Sequence, residues 1–208
     1  MAAAATSTPP TPSGSARVRA KRARRRAEIL HAALRAFRTK GYHGTTLDDI
    51  ALQLGVRKTA LYHYFPDKEA ILYACHQEGL EEVAGILAEA RRRETYAEQL
   101  TFAVCEHVRV MTDTLEGSSL ALEVAALAPG HRAEVIAARD RYERALRDIV
   151  RRGIAAGEFR PVDPKLAVFA ILGAINWIAR WYAPGGAVRP PLLGTQFSDH
   201  LVRGLLAA

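Results

Sequence analysis

Residues 45–65 constrain this chain more than any other stretch. The run Thr-Thr-Leu-Asp-Asp-Ile-Ala-Leu-Gln-Leu-Gly-Val-Arg-Lys-Thr-Ala-Leu-Tyr-His-Tyr-Phe reads as two short helices meeting at Gly55. Thr46 followed three residues later by Asp49 is a helix start, because the hydroxyl can accept a free backbone N–H while the carboxylate sits in the positive first turn. Leu47, Ile50 and Leu54 repeat at helical spacing and give one apolar face. Gly55 supplies the sharp turn, where a residue without Cβ reaches positive φ at little cost. Beyond it Val56, Leu61 and Phe65 can face inward, which leaves Arg57, Lys58, Thr59, Tyr62 and His63 outward. A helix that is apolar on one side and cationic or hydroxyl-bearing on the other has the pattern needed to lie in a DNA major groove.

The run from Thr45 to Leu72, above all Leu54-Gly55-Val56 and then Leu61-Tyr62-His63-Tyr64-Phe65-Pro66-Asp67-Lys68-Glu69-Ala70, resembles the DNA-binding domain of the TetR family of bacterial transcriptional regulators. The resemblance implies an all-α fold with a three-helix, helix-turn-helix DNA-binding domain and a larger helical domain for effector binding and dimerisation. It places Arg57, Lys58 and Thr59 where bases are commonly read. Lys58 is the first choice, since a cation can donate to guanine O6 and N7 for roughly 1–3 kcal/mol of discrimination. Thr45, Thr46, Tyr62, Tyr64 and Lys68 match positions that touch phosphate, and His63 points to the same face. Lys68 stands at the positive end of a helix, a poor place for a cation unless a phosphate docks there.

The distribution of charge agrees with an anionic partner. The net charge of +7 is carried by the N-terminal third: up to Lys68 there are 13 Lys and Arg against 4 Asp and Glu, and beyond it 16 against 18. A surplus confined to one module favours phosphate binding with counterion release. Part of it is the arm Arg17, Arg19, Lys21, Arg22, Arg24, Arg25 and Arg26, which can track phosphates, enter a minor groove or act only as a solubilising leader.

Residues 1–20 are expected to be a disordered leader, 21–67 the DNA-binding domain and 68–208 the effector-binding and dimerisation domain. The leader lacks the apolar content to offset its ordering entropy. A first helix is expected from about Arg24 to Lys40, with Ile29, Leu30, Ala33, Leu34 and Phe37 as its inner stripe. Asp67 should cap a fourth helix reaching about Arg93. Further helices are expected near 96–115, 118–127, 132–156 and 164–182, with a break at Pro129-Gly130, and a last one from about Leu192.

The helix near 164–182 is apolar nearly all round, which a monomer has little use for, and the last one carries a four-residue ladder. Phe169, Gly173, Trp181, Leu193, Phe197, Leu201 and Leu205 are therefore the expected homodimer interface, a four-helix arrangement with a second copy. Candidate effector contacts are Phe102, His107, Met111, Glu123, Arg139, Tyr142, Asn176, Trp177 and Tyr182, with Asn176 needing a hydrogen-bond partner in an otherwise apolar helix.

A narrower resemblance, in Gly157-Glu158-Phe159-Arg160-Pro161, Gly173-Ala174-Ile175-Asn176-Trp177, Trp181-Tyr182 and Pro184-Gly185-Gly186, is to the subgroup that represses fatty-acid or sterol catabolism and is released by acyl-CoA thioesters. The alternatives are a repressor of an efflux or drug-resistance operon, with a bulky apolar effector, and a ligand-independent architectural DNA binder. An enzyme is not expected: the chain has no nucleophile elbow, no phosphate-cradling glycine loop and no His-Glu-x-x-His. No cofactor or metal is expected either, since Cys75 and Cys105 lack metal-like spacing and read as small buried hydrophobes of a cytoplasmic protein. The longest apolar run, Leu166 to Ile175, is broken at Asn176 before it could span a bilayer.

Overall fold

The apolar stripe of the first helix is where the fold begins. In a computed structural model, which describes residues 14–116 and 119–207, Ile29, Leu30, Ala33, Leu34 and Phe37 are all buried, as their spacing requires. The helix that carries them, α1 (Gly14–Gly44), starts ten residues earlier than Arg24. Of the expected disordered leader, residues 1–13 lie outside the described residues and 14–20 are helical. Ala, Arg and Lys are strong helix formers, and extending an existing helix avoids the cost of nucleation. Glu28 reinforces the turn through ion pairs with Arg24 and Arg25. The arm is thus an exposed cationic helix rather than a loose chain.

Gly41 breaks the regular path of α1 with a φ of 70°. The next elements are α2 (Leu47–Gln53), which the reciprocal Thr46 and Asp49 capping box opens, and α3 (Lys58–Leu61). Gly55 between them has a φ of 63°. The regular part of α3 is only four residues long; Tyr64 and Phe65 then donate to the carbonyl of Leu61 in closing turns. Leu61 and Phe65 are buried, and the Arg26 guanidinium covers the Phe65 ring at 4.8 Å. One core therefore holds all three helices.

The larger part is built on α4 (Lys68–Ala90), capped by Asp67, and on α5 (Tyr96–Arg109), which runs into a π-helical turn at Val110–Thr114. A 3₁₀ segment (Ser119–Ala126) precedes α6 (Pro129–Ala155). The expected break at Pro129-Gly130 is instead the first turn of α6, where proline's missing N–H costs nothing. The chain ends with α7 (Pro164–Trp181) and α8 (Pro190–Arg203). Among the described residues there is no strand, only an isolated bridge between Phe159 and Leu206, and no helix is long and apolar enough to cross a membrane.

At the end of α6 the chain folds back so that buried Phe159 lies on Gly153. A Cβ at position 153 would stand 2.2 Å from Phe159 Cδ2. Gly153→Ala is expected to destabilise the protein by about 1–3 kcal/mol through overpacking. Urea denaturation checks this, and a variant as stable as the parent would show that Phe159 can move aside.

Candidate nucleic-acid interface and effector cavity

Capping at the start of α2 and the turn at Gly55 together fix which side chains α2 and α3 present to solvent. Thr46, Arg57, Thr59, Tyr62 and His63 are exposed, and Lys58 stands beside them with its ammonium 3.1 Å from Asp48. That pairing raises the Lys58 pKa. Asp49 is held well below the usual carboxylate range by Lys40 first and then by Thr46. The result is a cationic and hydroxyl-bearing edge on a rigid corner.

Two expected phosphate contacts are not on that edge. Thr45 is 1% exposed, and its hydroxyl donates to the carbonyls of Ala36 and Gly41 at 3.1 and 2.7 Å. Lys68 sends its ammonium to the carbonyls of Tyr42 and Thr45, each at 2.8 Å, and over the Tyr42 ring at 4.3 Å. Both side chains add donors to carbonyls in the last turns of α1 and just beyond its end. Tyr64 is half-buried against the core.

A cavity of about 140 Å³ lies in the larger part, between α4, the π-helical turn, α6 and α7. Five expected effector contacts line it together: His107, Met111, Arg139, Tyr142 and Asn176. Four do not. Phe102 sits beneath Arg93 on another face of α5, Trp177 is exposed, Tyr182 is buried beyond the end of α7 beside Trp181, and Glu123 is partly exposed on the 3₁₀ segment away from the cavity. Asn176 is exposed at the cavity wall, so solvent can meet its amide and its helix need not provide a partner.

The polar groups of the cavity are chemically distinct from its aliphatic walls. The Tyr142 hydroxyl and His107 Nδ1 share a hydrogen bond of 3.3 Å, with the rings edge to face. Burial, and then the charge of Arg139, lowers the His107 pKa to about 4. The same two causes lower that of His76 to about 3. Burial alone lowers the Arg139 pKa and raises that of Tyr142. His76 is absent from the contacts expected from sequence, although His76, Gly79, Leu80 and Val83 recur at i, i+3, i+4 and i+7 of α4 and all line the cavity.

The expected dimer residues divide in two. Phe169, Gly173 and Trp181 are exposed on α7, where Leu166 and Trp177 complete one apolar stripe at spacings of three and four residues. Leu193 and Leu205 are buried inside the subunit, and Phe197 and Leu201 are partly buried against the same core. Gly194 lets α8 approach α5 closely, since a Cβ there would lie 3.2 Å from the Cys105 carbonyl oxygen. Much of the ladder on α8 is therefore spent on its own chain. Cys75 is buried as expected; Cys105 is only partly so.

One contact ties the cavity to the DNA-facing helices. Leu115 lines the cavity, and the next residue, Glu116, has a φ of 47° and takes hydrogen bonds from His31 and Arg35 of α1, each 3.2 Å long. A positive φ at a residue with a side chain is strained and persists only where its surroundings hold it.

Comparison with known proteins gives family matches in both parts of the chain. Residues 29–75 match the family described as bacterial regulatory proteins, tetR family, and residues 93–205 match the tetracyclin repressor-like C-terminal domain. The HTH-type transcriptional repressor KstR2 of Mycolicibacterium smegmatis is 27% identical over 192 residues, 88% of this chain and 91% of its own. The TetR family regulator PfmR from Thermus thermophilus has a TM-score of 0.76 at 36% identity, over 84% of this chain and 97% of its own. AibR, solved in complex with isovaleryl coenzyme A and operator DNA, has a TM-score of 0.72 at 26% identity, over 87% of this chain and 98% of its own.

Proposed function

The chain belongs to the TetR family of bacterial transcriptional regulators, and from that premise we propose that it is a homodimeric repressor released from its operator by a small effector such as an acyl-CoA thioester. The observation that carries the reading is the joint presence of an exposed cationic edge on α2 and α3 and a cavity in the helical body behind it. Lys58, with Arg57 and Thr59, would read bases, while Thr46, Tyr62 and His63 would position the protein on phosphates. The exposed α7 stripe would meet its two-fold copy, since an apolar run of this length marks an interaction surface. Two recognition elements would then reach successive major grooves about 34 Å apart, in the cytoplasm where the operator lies.

Between the effector classes, the size of the cavity favours an acyl group over a bulky multi-ring drug. AibR, whose effector in the solved complex is isovaleryl coenzyme A, supports the same choice. Release would run through Glu116. An occupant pressing on Met111 and Leu115 would shift the turn that holds Glu116 against α1, and so change the tilt of the DNA-facing helices.

Band shifts with a duplex selected from a random-sequence pool test this. Binding at low salt is expected, with acyl-CoA weakening it by about 5–150-fold. Glu116→Gln should keep operator affinity and lose most of the response. A protein that ignores duplexes at low salt overturns the repressor reading, and a full response in Glu116→Gln overturns the route through Glu116.

A further inference from the structure

The cavity has an unusual feature for a site that is otherwise aliphatic. His76 is 3% exposed, lines the cavity, and its Nε2 has no hydrogen-bond partner among the described residues. A buried polar atom without a partner is costly and calls for a ligand or water to complete it. The neighbouring imidazole of His107 is already engaged by Tyr142, so the open valence belongs to His76. Arg139 lines the same cavity, and its charge acts on both imidazoles, which brings three nitrogen-bearing groups to one region. A partly buried guanidinium has several N–H donors and favours an oxygen-rich, electron-donating guest. A neutral imidazole can carry its proton on Nε2 to meet the same oxygen.

Size limits the rest of the guest. At about 140 Å³, the space matches cavities of roughly 150 Å³ that accept a benzene-sized molecule. Leu80, Val83, Val110, Leu120 and Leu172 make its wall apolar, and exposed Asn176 leaves one side open to solvent. A thioester seated by its acyl group could keep its coenzyme portion outside through that side.

We propose that the cavity selects a short acyl group, carried by a free carboxylate or by a thioester, whose carbonyl oxygen is received by His76 Nε2 and the Arg139 guanidinium. The space of about 140 Å³ holds a short acyl group whole and a long chain or a second ring only in part. The inference names the effector class of the site in the proposed repressor and rests on that reading for its biological meaning, while its binding claim stands without DNA.

Calorimetric titration of the purified protein, with no DNA present, tests it with isovalerate, isovaleryl-CoA, palmitoyl-CoA and CoA alone. At least one of the two short acyl ligands should bind about tenfold or more tighter than palmitoyl-CoA and CoA alone. Preference for isovaleryl-CoA over isovalerate identifies the thioester as the source, and the reverse preference identifies the free acid; either supports the proposal. Palmitoyl-CoA or CoA alone binding as well as both short ligands overturns it, as does no binding by either short ligand. His76→Leu should weaken the short ligand about tenfold, and His76→Gln, which keeps a donor, should restore most of the loss. Unchanged affinity in a folded His76→Leu means that water fills the open valence and overturns the role of His76. If that variant does not fold, the chain-length comparison on the unaltered protein decides. Because these titrations omit DNA, failure to bind an operator overturns the repressor reading alone.

Discussion

On acidification from about pH 6.5 to pH 4.5 the protein is expected to lose on the order of 5 kcal/mol of stability, well before its carboxylates are fully protonated. The cause is the pair of neutral imidazoles in the cavity wall. His76 and His107 are 3% and 9% exposed, and burial with the nearby Arg139 charge lowers their pKa values to about 3 and about 4. In the unfolded chain both titrate near the ordinary value of about 6.5. Their neutral-state contribution is therefore fully present above that pH. As the pH falls below it, the unfolded state takes up protons that the folded state refuses, at about 1.4 kcal/mol per imidazole per pH unit. The loss levels off only near the two lowered values. A domain has about 5–15 kcal/mol in total, so the fold is expected to fail in this window. Urea midpoints measured from about pH 7.5 to pH 4.5 check the slope, and the double variant His76→Leu, His107→Leu should flatten it. Stability that stays level over that range in the parent protein would show that the imidazoles are solvated or paired in the folded state.

Most of the fold is legible in the sequence because its signals are local. The stripe Ile29 to Phe37 fixes one face of α1 by spacing alone, and the Thr46 and Asp49 capping box, the positive φ at Gly55 and the Asp67 cap are decided by residues within one turn. What is illegible depends on where a side chain ends. Lys68 and Thr45 lie beside the recognition element in sequence, yet their polar atoms reach back 23 to 26 and 4 to 9 residues to the carbonyls of α1 and its end. The ladder on α8 announces burial without naming the surface that buries it, and Leu193, which the sequence assigns to a second copy, is buried within its own subunit. His76 escapes notice because the sequence marks α4 only by its cap and length, while the face from His76 to Val83 is the cavity wall. The arm shows the opposite limit. Its composition argues against a core, which is correct, but helices of Ala, Arg and Lys need no core when they extend one that is already anchored.

Replacing Lys68 with methionine should cost about 2–4 kcal/mol of stability, because it removes two charge-assisted hydrogen bonds while keeping the apolar stem. The ammonium joins three elements: it is rooted at the start of α4, binds the carbonyls of Tyr42 and Thr45, and covers the Tyr42 ring. Thr45 meanwhile holds Ala36 and Gly41 from the other side. Without Lys68 the Thr45 carbonyl loses its charged donor and the Tyr42 carbonyl keeps only the 3.3 Å bond from the Thr45 N–H, and the corner from which α2 departs is no longer fixed relative to α4. Operator affinity should fall at every salt concentration, since the whole edge is misplaced, but the dependence of log affinity on log salt should keep its slope. A lost phosphate contact behaves differently, reducing that slope by about 0.9. Discrimination between selected and random duplexes should also be kept in Lys68→Met, whereas Lys58→Ala should narrow it by about 1–3 kcal/mol if that cation reads a base. Thermal denaturation together with fluorescence titrations between 50 and 200 mM salt, roughly the range over which counterion release acts strongly, separates the two roles. A Lys68→Met protein with parental stability and a slope reduced by about one would return the side chain to the phosphate backbone. A destabilised protein with an unchanged slope would identify it as the brace that aims the recognition helix.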